Sequence, residues 1–493
     1  MVRSLAAIMA VTIGVGGSFL TMEPARAASD GLLLNLPAER DAAGYVADQP
    51  SSKEQASTQK RMQTTGSAIP IPPIKPSLQL ADASTSNTGT SNASSAPGGD
   101  AYQEVPRDQT VRERARPEVD ALGLHLSSFY AYPSVRTTET YDDNIFATPS
   151  HTDGDFITVV APELSIQSDW NNHALNFDAG AAAGYYASHT GEDYVDYHFG
   201  TDGRLDVTRD DQLTSAFTYR HEHEDRSSPD DRQGEEPTEY DLFQTQIGDQ
   251  NRFGRFTVKL DGQLNRYNFF DVSAFGGGTI NNDDRDRLST LGSATLSYEI
   301  VPDYEAYVRV SYNRQDYDSH FDNDGFERNS QGFETVAGLA IDLGGVTRAD
   351  VFAGYQTQYY QDSAFDTVAG PSFGASLTWN VTGITTVTAT LTRVLQETTT
   401  PGASGYFSTD AILNIDHELL RNLILNLYGG YSNRDYQGIG RNDNVWIAGT
   451  GAEYLMNRYM SIDAKDQFDD RDSSDADEDY LRSLVLLSLN LKL

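Results

Sequence analysis

From Phe256 to Asn265 the side chains alternate. Phe256, Val258, Leu260, Gly262 and Leu264 are apolar or small, and Thr257, Lys259, Asp261, Gln263 and Asn265 are polar. A β-strand turns successive side chains to opposite faces, so the stretch predicts a strand with one apolar face and one face made for water. Lys259, Asp261, Gln263 and Asn265 would be costly to bury unpaired, whereas a water-filled lumen suits them, as in a transmembrane barrel strand. The template recurs. Ala306, Val308 and Val310 oppose Glu305, Arg309 and Ser311; Val351, Ala353 and Tyr355 alternate with Asp350, Gly354 and Gln356. Val387, Ala389 and Leu391 alternate with Thr386, Thr388, Thr390 and Thr392, and Val485 to Leu493 repeats a leucine face against Ser488, Asn490 and Lys492.

The connections carry as much information as the strands. Short ones are centred on 169–172, 209–212, 251–255, 301–303, 344–347, 381–384, 418–422 and 457–458. Longer, more polar ones fall near 142–155, 187–192, 222–239, 268–287, 316–330, 361–370, 397–405, 434–443 and 466–479. Strict alternation of short turns and long loops is the signature of an outer-membrane barrel. The expected fold is therefore all-β: a transmembrane antiparallel β-barrel of about 18 strands over residues 121–493, with sixteen as the alternative count. An even count would leave both termini on the periplasmic side.

Composition narrows the class. Only 38% of the 493 residues are hydrophobic, and no stretch beyond the N-terminus is long and apolar enough for a spanning helix. The absence of cysteine removes disulfides, thiolate metal sites and a lipoprotein anchor. A formal charge of −36, nearly all beyond residue 120, argues against nucleic acid as a partner. At the other end, Arg3, the apolar run Leu5 to Leu20 and Ala25-Arg26-Ala27 predict a signal peptide over 1–27. Residues 28–120 are rich in Ser, Thr and Pro and predict a disordered periplasmic linker, a tether that could recruit an export partner or fold back as a plug. Tyr185, Tyr186, Tyr267, Phe269, Tyr355, Tyr359, Tyr428 and Tyr431 gather where strands meet long loops, as an interfacial girdle against lipid and lipopolysaccharide would.

The segment Arg116-Pro117 to Leu122-Gly123, followed by Tyr141-Asp-Asp-Asn-Ile-Phe146, resembles the putative β-barrel porin type 2 family of proteobacteria, with its RPxxxxLG lead-in and YDDNxF loop. Ala115 and Ala121 depart from it, standing where the family tends to have proline. The resemblance implies an outer-membrane channel, and for some members a link to exopolysaccharide or capsule export.

Candidate chemistry is sparse. His221 and His223 would share a strand face and could chelate a divalent metal, but a polar strand end entering an acidic loop explains them as simply. No Ser/His/acid set emerges, so neither an enzyme nor a cofactor is expected, although a barrel enzyme and a structural or adhesion barrel stay open as alternatives. The acidic stretches 222–239 and 463–479 read as solvated outer loops. The candidate channel-lining residues are Arg220, Lys259, Asp261, Glu305, Arg309, Asp350 and Gln356.

Overall fold

In the computed structural model, which describes residues 107–493, the alternating segments form one antiparallel sheet closed on itself. A short strand β1 (Leu124–Leu126) leads into β2 (Phe129–Asp142), β3 (Asp155–Ser168), β4 (Ala174–Tyr186), β5 (Tyr194–Asp206), β6 (Asp211–His223), β7 (Glu239–Phe253) and β8 (Phe256–Phe269). A small hairpin of β9 (Val272–Ser273) and β10 (Thr279–Ile280) interrupts the wall. The wall resumes with β11 (Arg287–Val301), β12 (Tyr304–Tyr317), β13 (Ser330–Asp342), β14 (Thr347–Tyr360), β15 (Val368–Thr382) and β16 (Thr385–Gln396). It ends with β17 (Gly405–Leu420), β18 (Leu423–Gln437), β19 (Asn442–Asn457), β20 (Met460–Ser473) and β21 (Tyr480–Lys492). Closure is made by β21 on β2, from Lys492 opposite Ser134 to Leu484 opposite Asp142. The wall thus has 18 strands, and every short and long connection falls where the alternation predicts it, within a few residues, except the last long one, which begins only after Ser473 instead of near 466.

The strands alternate as expected across the wall. Leu260, Leu264, Val308, Val310, Val351, Val485 and Leu487 are exposed on the outer face, while Gln263, Asn265, Arg309, Asp350 and Ser488 are buried inside. Tyr312 and Tyr304 on β12, and Trp446 and Tyr454 on β19, bracket eight-residue stretches of that outer face. At about 3.3 Å per residue and a tilt of about 40°, such a stretch is roughly 20 Å tall, close to an outer-membrane apolar band.

The girdle is half as expected. Tyr185, Tyr355 and Tyr359 are exposed on the outer face, and Tyr431 packs its ring 4.4 Å from Trp446. Tyr267, Phe269 and Tyr428 are instead buried inside, and Tyr186 packs on an interior cluster of Ile157, Val159 and Ala182. Pleating explains the difference, because Tyr185 and Tyr186 are neighbours and must face opposite sides.

The acidic stretches also differ from expectation. Much of 463–479 is strand β20, with Asp469 fully buried, and 222–239 folds inward rather than into solvent. Residues 107–120, expected to belong to the linker, are packed into the barrel as well; the expected signal peptide over 1–27 and residues 28–106 of the expected linker lie outside the described residues.

Large interior rings lie over glycines of the adjoining strand: Tyr307 over Gly338, Phe352 over Gly374, Tyr194 over Gly184 and Tyr428 over Gly449. A Cβ at any of these glycines would collide with the ring, so glycine lets an aromatic residue rest against the wall instead of jutting into the lumen. Gly338→Ala or Gly374→Ala is expected to destabilise the barrel by about 1–3 kcal/mol through overpacking. Gly292→Ala, with nothing within 4 Å of the new methyl group, should not. Urea unfolding in lipid vesicles makes the comparison.

Candidate conduit through the barrel

Six of the candidate lumen residues share one sector of the inner wall: Lys259 and Asp261 on β8, Glu305 and Arg309 on β12, Asp350 and Gln356 on β14. Arg220 stands apart on β6, opposite His198. Cross-strand register sorts their charges into layers. Asp261, Ser293, Ser311, Glu334 and Gln356 lie in one row across five strands. Lys259, Thr295 and Arg309 lie in the next row, and Glu305, Ala340 and Asp350 form another acidic row toward the short turns.

These charges are bound into the wall. The Arg309 guanidinium is 3.5 Å from Glu334 and 5.1 Å from the Phe352 ring centroid, and it is fully buried. The Tyr307 hydroxyl donates to Asp350 at 2.9 Å. A guanidinium removed from water needs such partners, so the layers of opposite sign stabilise one another across the rows.

The connection 224–238 crosses the mouth formed by the long loops. It leaves β6, and Asp225 pairs with Arg482 of β21 at 3.4 Å while the Ser227 carbonyl accepts from Arg471 of β20 at 3.0 Å. On the far side Asp230 accepts from the Thr398 hydroxyl at 2.7 Å, in the connection between β16 and β17. The crossing is anchored by buried ion pairs: Arg285 with Glu224 at 2.6 Å and Arg226 with Glu192 at 2.8 Å. Burial, reinforced by the nearby Glu224 and opposed by Arg226 and Arg285, pushes the Asp231 carboxyl up to about 7.

At the opposite mouth, residues 107–120 run as a belt along the inner wall from β15 to β20. Arg107 donates to the Asn380 carbonyl at 2.9 Å, and the Val111 amide donates to Thr386 at 2.9 Å. Arg112 pairs with Asp416 at 3.0 Å and with Glu453, while Arg114 and Arg116 both reach Glu418 at 2.9 Å. Val111 and Val119 pack on Ile424 and Leu455, and Arg458 donates to the Pro117 carbonyl at 2.9 Å.

Residues 116–493 match the family described as "Putative beta-barrel porin 2". The chain belongs to this family of outer-membrane β-barrel porins. No curated protein matches it. Among solved structures it is similar to OccK3 (OpdO) of Pseudomonas aeruginosa, at 15% identity over 75% of this chain and 97% of that one, with a TM-score of 0.39. It is also similar to OpdL of the same organism, at 14% identity over 75% of this chain and 100% of that one, TM-score 0.38. A third is OccK2 (OpdF), again of Pseudomonas aeruginosa, at 10% identity over 75% of this chain and 99% of that one, TM-score 0.41.

The motifs that carried the resemblance are architectural in this porin-family barrel. Asn144 is fully buried; its Nδ2 donates to the Thr148 and Leu481 carbonyls at 2.9 Å, and its amide donates to Asp142 at 2.8 Å. Asp143 accepts from the Ser483 amide at 2.7 Å. The YDDNxF loop therefore fastens the seam where β21 meets β2. In the lead-in, Arg116 holds the belt, and Gly123, at φ +69°, leaves room for the Tyr132 ring.

His221 and His223 do not converge on a common ligand set: His221 lies 2.9 Å from Asp241 and His223 2.9 Å from Asp196. Sequence reasoning missed the belt, whose arginines sit in a stretch of linker-like composition, and the crossing of 224–238. The signal for the second was the pairing of six carboxylates with two arginines in one loop.

Two outcomes are expected. Arg285→Ala leaves Glu224 buried without its partner, a loss of about 3–5 kcal/mol; the crossing should loosen, seen as larger and noisier single-channel current. An acid raised to about 7 in the docked crossing holds its proton more tightly there than in a free loop. That stabilisation is fully present below the ordinary carboxylate value of about 3.9 and is lost as pH rises through about 7. Current noise should therefore grow as pH rises toward about 7 and level off above it, and Asp231→Asn should flatten the dependence.

Proposed function

We propose that this outer-membrane barrel is a passive channel for exopolysaccharide or other sugars, both of its termini lying in the periplasm. The observation that supports it best is a polar lumen narrowed at one mouth by the crossing 224–238 and at the other by the belt 107–120. Passage would be diffusion or guided threading through a hydrated pore, with no covalent step and no cofactor. Arg220, Lys259, Asp261, Glu305, Arg309, Asp350 and Gln356 line the conduit in this reading, the buried ones by setting its shape more than by touching cargo. The outer face contacts lipid and lipopolysaccharide, and residues 28–120 offer a handle to a periplasmic polysaccharide-export partner, which would draw the belt from its seat.

Planar bilayers test the reading with refolded mature protein and with a chain lacking residues 28–120. Conductance in both, larger after truncation, is expected. Silence in both, with folding verified by heat-modifiable mobility, would overturn the channel and favour a structural or adhesion barrel acting through its loops.

A further inference from the structure

The inner faces of β15 and β16 differ from the rest of the wall. Ser372, Gly374, Ser376, Thr378 and Asn380 face inward on β15, and Thr386, Thr388, Thr390, Thr392, Val394 and Gln396 on β16. Register sets Gly374 beside Thr392, Ser376 beside Thr390, Thr378 beside Thr388 and Asn380 beside Thr386. Neither inward face carries an ionisable group. The strip runs from Thr386, where the belt is seated, to Gln396, next to the connection that receives Asp230.

The strip also keeps a continuous run of hydroxyls free. Ser376, Thr378, Thr388 and Thr392 are half-buried and Thr390 is exposed, and none of the five hydroxyls has a partner among the described residues. At the outer end of the strip Gln396 is 5% exposed, and its Nε2 has no hydrogen-bond partner among the described residues. The carboxylates beside the strip are each held through one oxygen, Asp350 by the Tyr307 hydroxyl at 2.9 Å and Asp410 by the Ser408 hydroxyl at 2.8 Å, and Arg348, beside Thr378, is 3.9 Å from Asp342.

We infer that β15 and β16 form the cargo-contact strip of the lumen, and that the cargo is an uncharged polyhydroxylated chain, a neutral glycan. This rests on the channel reading and narrows it. Each hydroxyl both donates and accepts, so a glycan hydroxyl exchanges one water contact for one of equal kind. Repetition along the strand gives many weak sites instead of one strong site, the condition for entry without trapping. A polyanion would lose water along the strip and meet one guanidinium, Arg348 beside Thr378, against two carboxylates, Asp350 beside Ser376 and Asp410 beside Thr392.

The test is interruption of single-channel current by maltoheptaose and by oligogalacturonate of equal length, with the full mature chain and a T388V/T390V/T392V variant, each scaled to its own open current. Maltoheptaose should block the unaltered chain with the longer residence, and the variant should shorten that residence roughly tenfold, the loss of a few weak hydrogen bonds. Equal residence in the variant, or longer block by oligogalacturonate, overturns the proposal. A silent channel would count against the channel reading itself. Saturation-transfer NMR of the detergent-solubilised chain with maltoheptaose then still decides the strip: transfer lost in the variant supports it, and transfer absent or unchanged refutes it.

Discussion

The structure depends on one constraint: in hydrocarbon, every backbone N–H and C=O must be paired within the protein. A sheet meets that condition only by having no edge, and here the edge vanishes where β21 pairs with β2 from Ser134 to Asp142. The residues that secure this seam are accordingly the least negotiable. Asn144 and Asp143 fasten the first long loop to β21, and Leu493 donates its amide to the Pro133 carbonyl at 3.2 Å. Where β21 ends, β1 takes its place, pairing Leu126 with Phe129 and Leu124 with Ala131. The signature shared with the family thus marks how the sheet closes, not what passes through it.

Closure forces a second condition. A sheet with lipid outside must turn its polar residues inward, and many of them are too close to the wall to be fully hydrated. Arg309 and Glu334, or Arg285 and Glu224, are held as pairs for that reason. Layering by sign in the β8 to β14 sector is then a packing solution: like charges share a row, strands apart, and unlike charges meet between rows. Beside that sector, β15 and β16 need no such pairing, because hydroxyls tolerate partial hydration that a bare charge would not.

How much of this was legible in the sequence follows from what sets each feature. Strand count and turn positions depend on a local period of two, which Phe256 to Asn265 displays without any tertiary knowledge. The inward direction of Glu305, Arg309, Asp350 and Gln356 follows from the same period. The girdle was read by proximity along the chain, and it failed at Tyr267, Phe269 and Tyr428 because parity, not proximity, decides the face. The path of 224–238 could not be read, since its partners Thr398, Arg471 and Arg482 are 168, 244 and 257 residues away. Residues 107–120 look like linker because their few apolar positions, Val111 and Val119, only gain meaning beside Ile424 and Leu455.

The two closures differ in kind. Glu224 and Arg285 meet one to one through two hydrogen bonds, at 2.6 and 2.8 Å, both side chains almost wholly buried. In the belt, Arg114 and Arg116 share the single carboxylate oxygen of Glu418, and Arg114 Nε, Arg114 Nη2 and Arg116 Nε are buried without partners. Burial lowers the Arg114 guanidinium from its ordinary value, a sign that its charge is under-compensated. The third anchor, Arg112, is 40% exposed and open to screening by salt. A buried guanidinium short of acceptors costs free energy that a fully satisfied pair does not. The Glu224–Arg285 anchor of the crossing is therefore the better compensated of the two, and the arginine anchors of the belt at the turn end are the more weakly held.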